Sequence, residues 1–200
     1  MTNSNDFRFD LGSLSLNFIA TVGSRNSLHP IERMSSPILF KQWLIKSSLI
    51  DDNDNDNQLT ITQSDLEQAI ILRETLHRFI HDFVHQKKIN DQDLQVINHF
   101  ASYANTHFPQ LCKDINNNLY IEPSKIQSVN EILGSIAVDI IQLVTGEEKM
   151  LLRECGGFSC DGIYVDRSRG FRRLWCSSKT CGNAERVDRH RTKYRTKSTS

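Results

Sequence analysis

Residues 155–181 read CGGFSCDGIYVDRSRGFRRLWCSSKTC. Four of the five cysteines fall here, Cys155, Cys160, Cys176 and Cys181, with the spacing C-x4-C-x15-C-x4-C. A reducing compartment disfavours disulfides, so a tight set of four thiols reads first as metal ligands. Zinc prefers four thiolates in a tetrahedron, and short loops within each pair let two sulfurs point inward from one turn. Gly156 and Gly157 are expected to supply the positive φ angles of such a knuckle. Between the pairs, Ile163–Val165 and Phe171–Trp175 read as the two arms of a hairpin turning at Ser168-Arg169-Gly170. The charged stretch after Cys181 tolerates a helix, which places the last ligand in its first turn. Knuckle, hairpin and helix form a treble-clef-like arrangement. So short a module makes a poor core, and a metal supplies the missing stability. No ligand position is left open, so this zinc is expected to be structural rather than catalytic.

The 200 residues carry 24 basic and 24 acidic side chains, but the charge is divided. Residues 151–200 hold 12 Lys/Arg against 5 Asp/Glu, a net of +7, and residues 1–150 hold 12 against 19, a net of −7. An acidic body with a basic tail is the composition of a polyanion-binding end. The hydrophobic share of 38% supports a modest core. No apolar run approaches the roughly 18–20 residues of a membrane helix. The polar start MTNSNDFRFDLGSLSLNFIA lacks the pattern of a signal peptide, so the cytoplasm is the expected location.

Upstream of the cysteines the patterns are mainly helical. Phe7, Phe9 and Leu11, then Leu14, Leu16 and Phe18, alternate with period two and predict a strand or hairpin turning at Gly12-Ser13. Ser36-Pro37 opens a helix with Ile38, Leu39, Trp43, Leu44 and Ile45 on its apolar side. Ser64-Asp65-Leu66-Glu67 reads as a capping box for a helix over 64–87. A further helix is expected over 91–106, with Leu94, Ile97, Ala101 and Ala104 on one side, and a short hairpin over 109–122. Ser124 is expected to cap a last long helix carrying Ile126, Val129, Leu133, Ile136, Ile140 and Leu143, ended by Gly146. The fold class is therefore a mainly α N-terminal domain with a short β element, residues 1–148, followed by a small zinc finger of β-hairpin and helix, residues 149–200.

Other metal signals are weaker. The run DDNDNDN at 51–57 fails the EF-hand pattern, because Asn57 and Gln63 stand where glycine and glutamate are needed. His77, His81 and His85 lie four apart on one helix, but the sequence shows no carboxylate or cysteine that completes a site, so a solvated polar face is expected. Cys112 reads as a small apolar residue.

Several segments together resemble a known family. Leu152-Arg153-Glu154-Cys155 through Cys160, Val165-Asp166-Arg167-Ser168-Arg169, Arg172-Arg173-Leu174-Trp175-Cys176-Ser177, Cys181-Gly182-Asn183 and Arg189-His190-Arg191 resemble the CGNR zinc finger. Leu16-Asn17-Phe18, Leu72-Arg73-Glu74, Ile97-Asn98 and Ile136-Ala137-Val138-Asp139 are similar to its helical partner, the ABATE domain of stress-induced transcription regulators. The name-giving motif ends in arginine, where this chain has Ala184. Arg186 is the nearest substitute.

The resemblance and the charge together imply a zinc-binding, DNA-binding transcription regulator whose helical domain senses a small molecule or mediates assembly, homodimerisation included. Arg186, Arg189, Lys193 and Lys197 recur along one helix face, with Val187 and Tyr194 expected to pack on the hairpin, and Arg167, Arg169, Arg172 and Arg173 form a basic rim. The candidate DNA contacts are Arg172, Arg173, Arg186, Arg189, Arg191 and Lys193. Asp166 is expected to be structural, holding an arginine or accepting backbone N–H bonds, and Asn183 to be structural support. The alternative is a zinc-stabilised interaction module docking an acidic partner. RNA binding is a third class, lowered by the scarcity of aromatic platforms. No phosphate loop, nucleophile elbow or metal-hydrolase motif appears, so no enzyme activity is expected.

Overall fold

The computed structural model describes residues 6–50, 59–104, 110–122 and 128–197. The alternating run near the N-terminus is not a hairpin. Gly12, at φ +99°, turns the chain, and Ser13 caps helix α1 (Leu14–Ile19) by accepting the Leu16 N–H. The helix wins because it buries Ser15, Leu16, Phe18 and Ile19 together. Ser15 can go inside because Asp139 accepts both its N–H (2.8 Å) and its hydroxyl (2.5 Å). A two-residue ladder, β1 (Val22–Gly23) against antiparallel β2 (Ile31–Glu32), follows.

Helix α2 (Pro37–Lys46) starts as its sequence directs, with Ser36 accepting the Leu39 N–H and proline in the first turn. It buries Phe40, Trp43 and Leu44, while Ile38, expected on the apolar side, faces solvent. Helix α3 (Gln63–Val84) begins two residues before the expected box. Thr62 accepts the Asp65 N–H, and Asp65 accepts the Thr62 N–H in return. Helix α4 (Asp91–Ala101), capped by Asn90, is shorter than its pattern and buries Ile97 and Phe100, while Leu94 stays partly exposed. The short hairpin expected over 109–122 is formed by β3 (Gln110–Lys113) and antiparallel β4 (Leu119–Glu122). Helix α5 (Val129–Thr145) is capped by Ser128 and ended by Gly146. The expected cap Ser124 and residue Ile126 lie outside the described residues, as does the acidic run 51–57.

Helix α5 is the axis of the body, packing on α1, α3 and α4. Its apolar stripe joins those of α2 and α3 in one core. Arg73 brings a charge into that core, and pairing compensates it. The Arg73 guanidinium donates to both oxygens of Glu32 (2.9 and 2.6 Å), to Thr21 and to Glu74, and Arg25 forks onto Glu74. This network ties the β1–β2 ladder to α3.

A 3₁₀ turn (Glu147–Leu151) leads into the finger, made of β5 (Leu152–Glu154), β6 (Ile163–Val165) and α6 (Cys181–Lys197). β6 pairs with β5, Arg153 opposite Tyr164, and not with Phe171–Trp175 as its spacing predicts. Left-handed backbone at Gly170 (φ +79°) and Phe171 (φ +52°) breaks the second arm. That return is held instead by Gly156 donating to the Leu174 carbonyl (3.0 Å). The finger is joined to the body. Ile163, Tyr164 and Val165 are all buried in the common core, and Val165 donates to the Leu11 carbonyl (2.8 Å).

Candidate metal centre

The knuckle after β5, the chain before α6 and the first residue of α6 bring the four thiols together. Their sulfurs lie within 4.8 Å of one another, with Cys176 3.5 Å from both Cys160 and Cys181. Four sulfurs at about 2.3 Å from one ion are about 3.8 Å apart, so the cage fits tetrahedral zinc. Cys155 and Cys176 are buried, and Cys160 and Cys181 half-buried. Backbone amides point at the sulfurs as they would at thiolates: Gly162 N–H to Cys160 and Cys176 N–H to Cys155, both at 3.3 Å.

Gly156 and Gly157 do not have the positive φ expected of them. Gly157 matters through crowding, since a Cβ there would lie 3.3 Å from the Cys181 Cβ and 3.5 Å from the Cys155 sulfur. Asp166 is fully buried. Its two oxygens accept the N–H groups of Ser168 (2.9 Å) and Arg173 (3.1 Å), closing the turn that carries the chain back to Cys176. Hydrogen bonds from Ser168 and from the Arg173 amide outweigh burial and hold this carboxyl below its usual range. Burial and the Asp166 carboxylate push the Tyr164 hydroxyl up to about 12, and it donates to the Arg173 carbonyl.

Arg8 is the site residue the sequence reading missed. Its guanidinium donates to the Cys176 sulfur (3.1 Å) and the Cys176 carbonyl (2.9 Å), and pairs with Asp10 (2.7 Å). Burial opposes its charge, but Cys176 and Asp10 outweigh burial and raise it above the ordinary arginine value. Nothing local marks Arg8, because its partner lies 168 residues away.

The candidate basic residues divide. Arg173 turns inward, lying 4.5 Å over the Tyr164 ring and donating to the carbonyls of Trp175 (2.8 Å), Asp10 (3.1 Å) and Cys176. It is therefore a strut of the finger, contrary to its place among the DNA contacts. Arg167 pairs with Glu148 and caps the Gly12 carbonyl. Arg172, Arg186, Arg189 and Arg191 are exposed and form no ion pair among the described residues, while Arg186 reaches over the Trp175 ring at 6.0 Å. Lys193 lies on α6, but its side chain is outside the described residues, as is that of Tyr194. Val187, expected to pack on the hairpin, is 44% exposed. Asn183, expected as structural support, is exposed in the first turn of α6, with no side-chain hydrogen bond among the described residues. Cys112 is half-buried on β3, across from Tyr120.

The histidine row is not a plain solvated face. Asp161, next to Cys160, comes within 2.8 Å of His77, and Glu154, next to Cys155, within 3.0 Å of His85. The carboxylates that appear to be missing in the sequence arrive from the finger. Burial, with His77 beside it, holds the His81 imidazole below its ordinary value against the pull of Asp161 and Glu154.

A four-thiolate zinc finger fused to a helical domain is thus the class of protein that fold and site define. Residues 152–194 match the CGNR zinc finger, and residues 12–147 match the ABATE family, described as "Putative stress-induced transcription regulator". The chain belongs to the ABATE family, with the zinc finger following its helical domain. No curated protein matches it. No helix among the described residues is long and apolar enough to cross a membrane.

Proposed function

We propose that this protein is a DNA-binding transcription regulator that works in the cytoplasm and carries no catalytic activity. The observation that supports this reading is a division of labour among its arginines. Arg8, Arg25, Arg73, Arg78 and Arg167 each face a carboxylate, whereas Arg172, Arg186, Arg189 and Arg191 stand exposed on the finger and form no ion pair among the described residues. Arg172 and Arg189 share a groove with Phe171, Leu174 and Trp175. Exposed guanidinium groups on a zinc-fixed scaffold suit phosphate oxygens, and the acidic body turns a polyanion toward the finger. The cavity of about 300 Å³ between body and finger, lined by Arg8, Arg33 and Lys179 among others, is the place for a small-molecule effector.

Exposed Phe158, Phe171 and Leu174 favour a second reading, in which the same face docks an acidic protein partner. One experiment separates the two. Zinc-loaded protein is bound to duplex DNA across a salt series, beside the metal-stripped protein and an Arg172/Arg186/Arg189→Ala variant. The regulator reading expects log affinity to fall with log salt at a slope of roughly −0.9 per phosphate contact, and both controls to bind much more weakly. Equal binding by folded and stripped protein would overturn it and leave the docking module.

A further inference from the structure

His77, His81 and His85 stand one turn apart on α3, their rings 4.5 and 5.8 Å apart in sequence along one face. The finger presents Asp161 and Glu154 to that face. The ligand atoms of His77, His81 and Asp161 lie within 4.8 Å of one another, and so do those of His81, His85 and Glu154. His81 belongs to both sets, so its position decides which is occupied. The side chains of His77, His81 and Asp161 are 22%, 16% and 16% exposed, against 38% and 43% for His85 and Glu154. The first set is the better shielded from competing water. Its three residues also line the cavity between body and finger.

We propose that His77, His81 and Asp161 form a second metal site, separate from the four-thiolate centre, which takes a divalent transition ion and bridges the helical body to the finger. Two imidazoles at i and i+4 offer two nitrogens from one helix face, and the Asp161 carboxylate offers an oxygen from the facing loop. Nitrogen with oxygen suits zinc, nickel or cobalt, and the lack of sulfur disfavours the soft monovalent copper ion. Three protein ligands leave a position open, and all three line the cavity. Ligands about 2.1 Å from a tetrahedral ion are about 3.4 Å apart, so the ion replaces the 2.8 Å bond between His77 and Asp161. That bond satisfies both groups when the ion is away. The site is therefore expected to exchange its ion more readily than the four-thiolate cage does. The proposal stands independently of DNA binding.

The test uses the full chain carrying its one thiolate-bound zinc. Zinc is added, excess is removed by gel filtration, and metal per chain is measured beside the melting temperature. The wild type is expected to hold a second equivalent and to melt higher with it. His77→Gln and His81→Gln are expected to stop at one equivalent with no rise in melting temperature, and His85→Gln to behave as wild type. As a check that needs no variant, cobalt added to the zinc-loaded wild type is expected to give d–d bands without a thiolate charge-transfer band. A metal content that stays at one, a second equivalent held equally by the His77 and His81 variants, or a cobalt spectrum dominated by thiolate charge transfer would overturn the proposal.

Discussion

Asp166 shows how much one buried side chain can organise. Its carboxylate accepts two backbone N–H groups five residues apart, Ser168 and Arg173, and so closes the turn that brings Cys176 to its partners. Asp166→Asn replaces one acceptor oxygen with a donor facing an N–H. It is expected to lower the melting temperature of the finger and speed zinc loss to a chelator. Glu74 is the corresponding residue of the body. Burial opposes its charge, but Arg25 and Arg73 outweigh burial and hold its carboxyl below the ordinary value of 4.5. A depressed folded value stabilises the protein in full above the unfolded one, and that stability is lost as pH falls through the folded value. The body should therefore lose stability as pH drops below about 4.5. Glu74→Gln should flatten that loss and cost about 1–2 kcal/mol at neutral pH, a figure held down by partial exposure. Denaturant titrations at pH 7 and pH 4 check both parts.

Among the elements, α5 and the turn after α4 fit closely. Gly134 on α5 lets the end of α4 approach so closely that a Cβ would stand 2.3 Å from the Ala104 nitrogen and 2.8 Å from its Cα. The obstacle is backbone, which cannot rotate aside. Gly134→Ala is therefore expected to push the helices apart and destabilise by about 1–3 kcal/mol or more, despite alanine's better helix propensity. A shift in the urea midpoint measures it, and an unchanged midpoint would show that α4 ends elsewhere. The caps belong to this scale too. Ser36, Asn90 and Ser128 each accept an N–H of the first turn, but the sequence reading picks out only Ser36 and sets the α5 cap at Ser124. Thr62 was harder to recognise, because Ser64 offers an equally good motif two residues on and only the packing of Leu66, Ala69 and Leu72 chooses between them.

For the molecule as a whole, the finger is packed onto the body through β6 and a few long-range hydrogen bonds. β6 is buried in the shared core, Leu11 and Leu151 accept hydrogen bonds from Val165 and Asp166, and Arg8 reaches back to Cys176. Removing the metal, or Cys176→Ser, is expected to unfold the finger and also to lower the melting temperature of the helical body by several degrees. Calorimetry with and without chelator is the measurement. A body transition that does not move on zinc loss would mean that the two parts are only tethered.

The sequence by itself determined what depends on neighbours within a few residues: the paired cysteine spacing, the helices with a stripe of period 3.6, the caps at Ser36 and Gly146, and the opposed charges of the two ends. Those signals act within one or two turns of backbone, so they survive without knowledge of the fold. Only the tertiary structure decided the rest. Six residues of LSLNFI fit a strand or a helix equally well until Asp139 receives Ser15. β6 could have paired on either side, and β5 occupied its edge. Arg173 read as a surface cation until Tyr164 and the Asp10 and Cys176 carbonyls claimed it. The histidines of α3 lacked a carboxylate until the finger folded against them. In each case the partner is distant in the chain, and burial makes the choice, because a polar group removed from water must find whichever partner the packing brings to it.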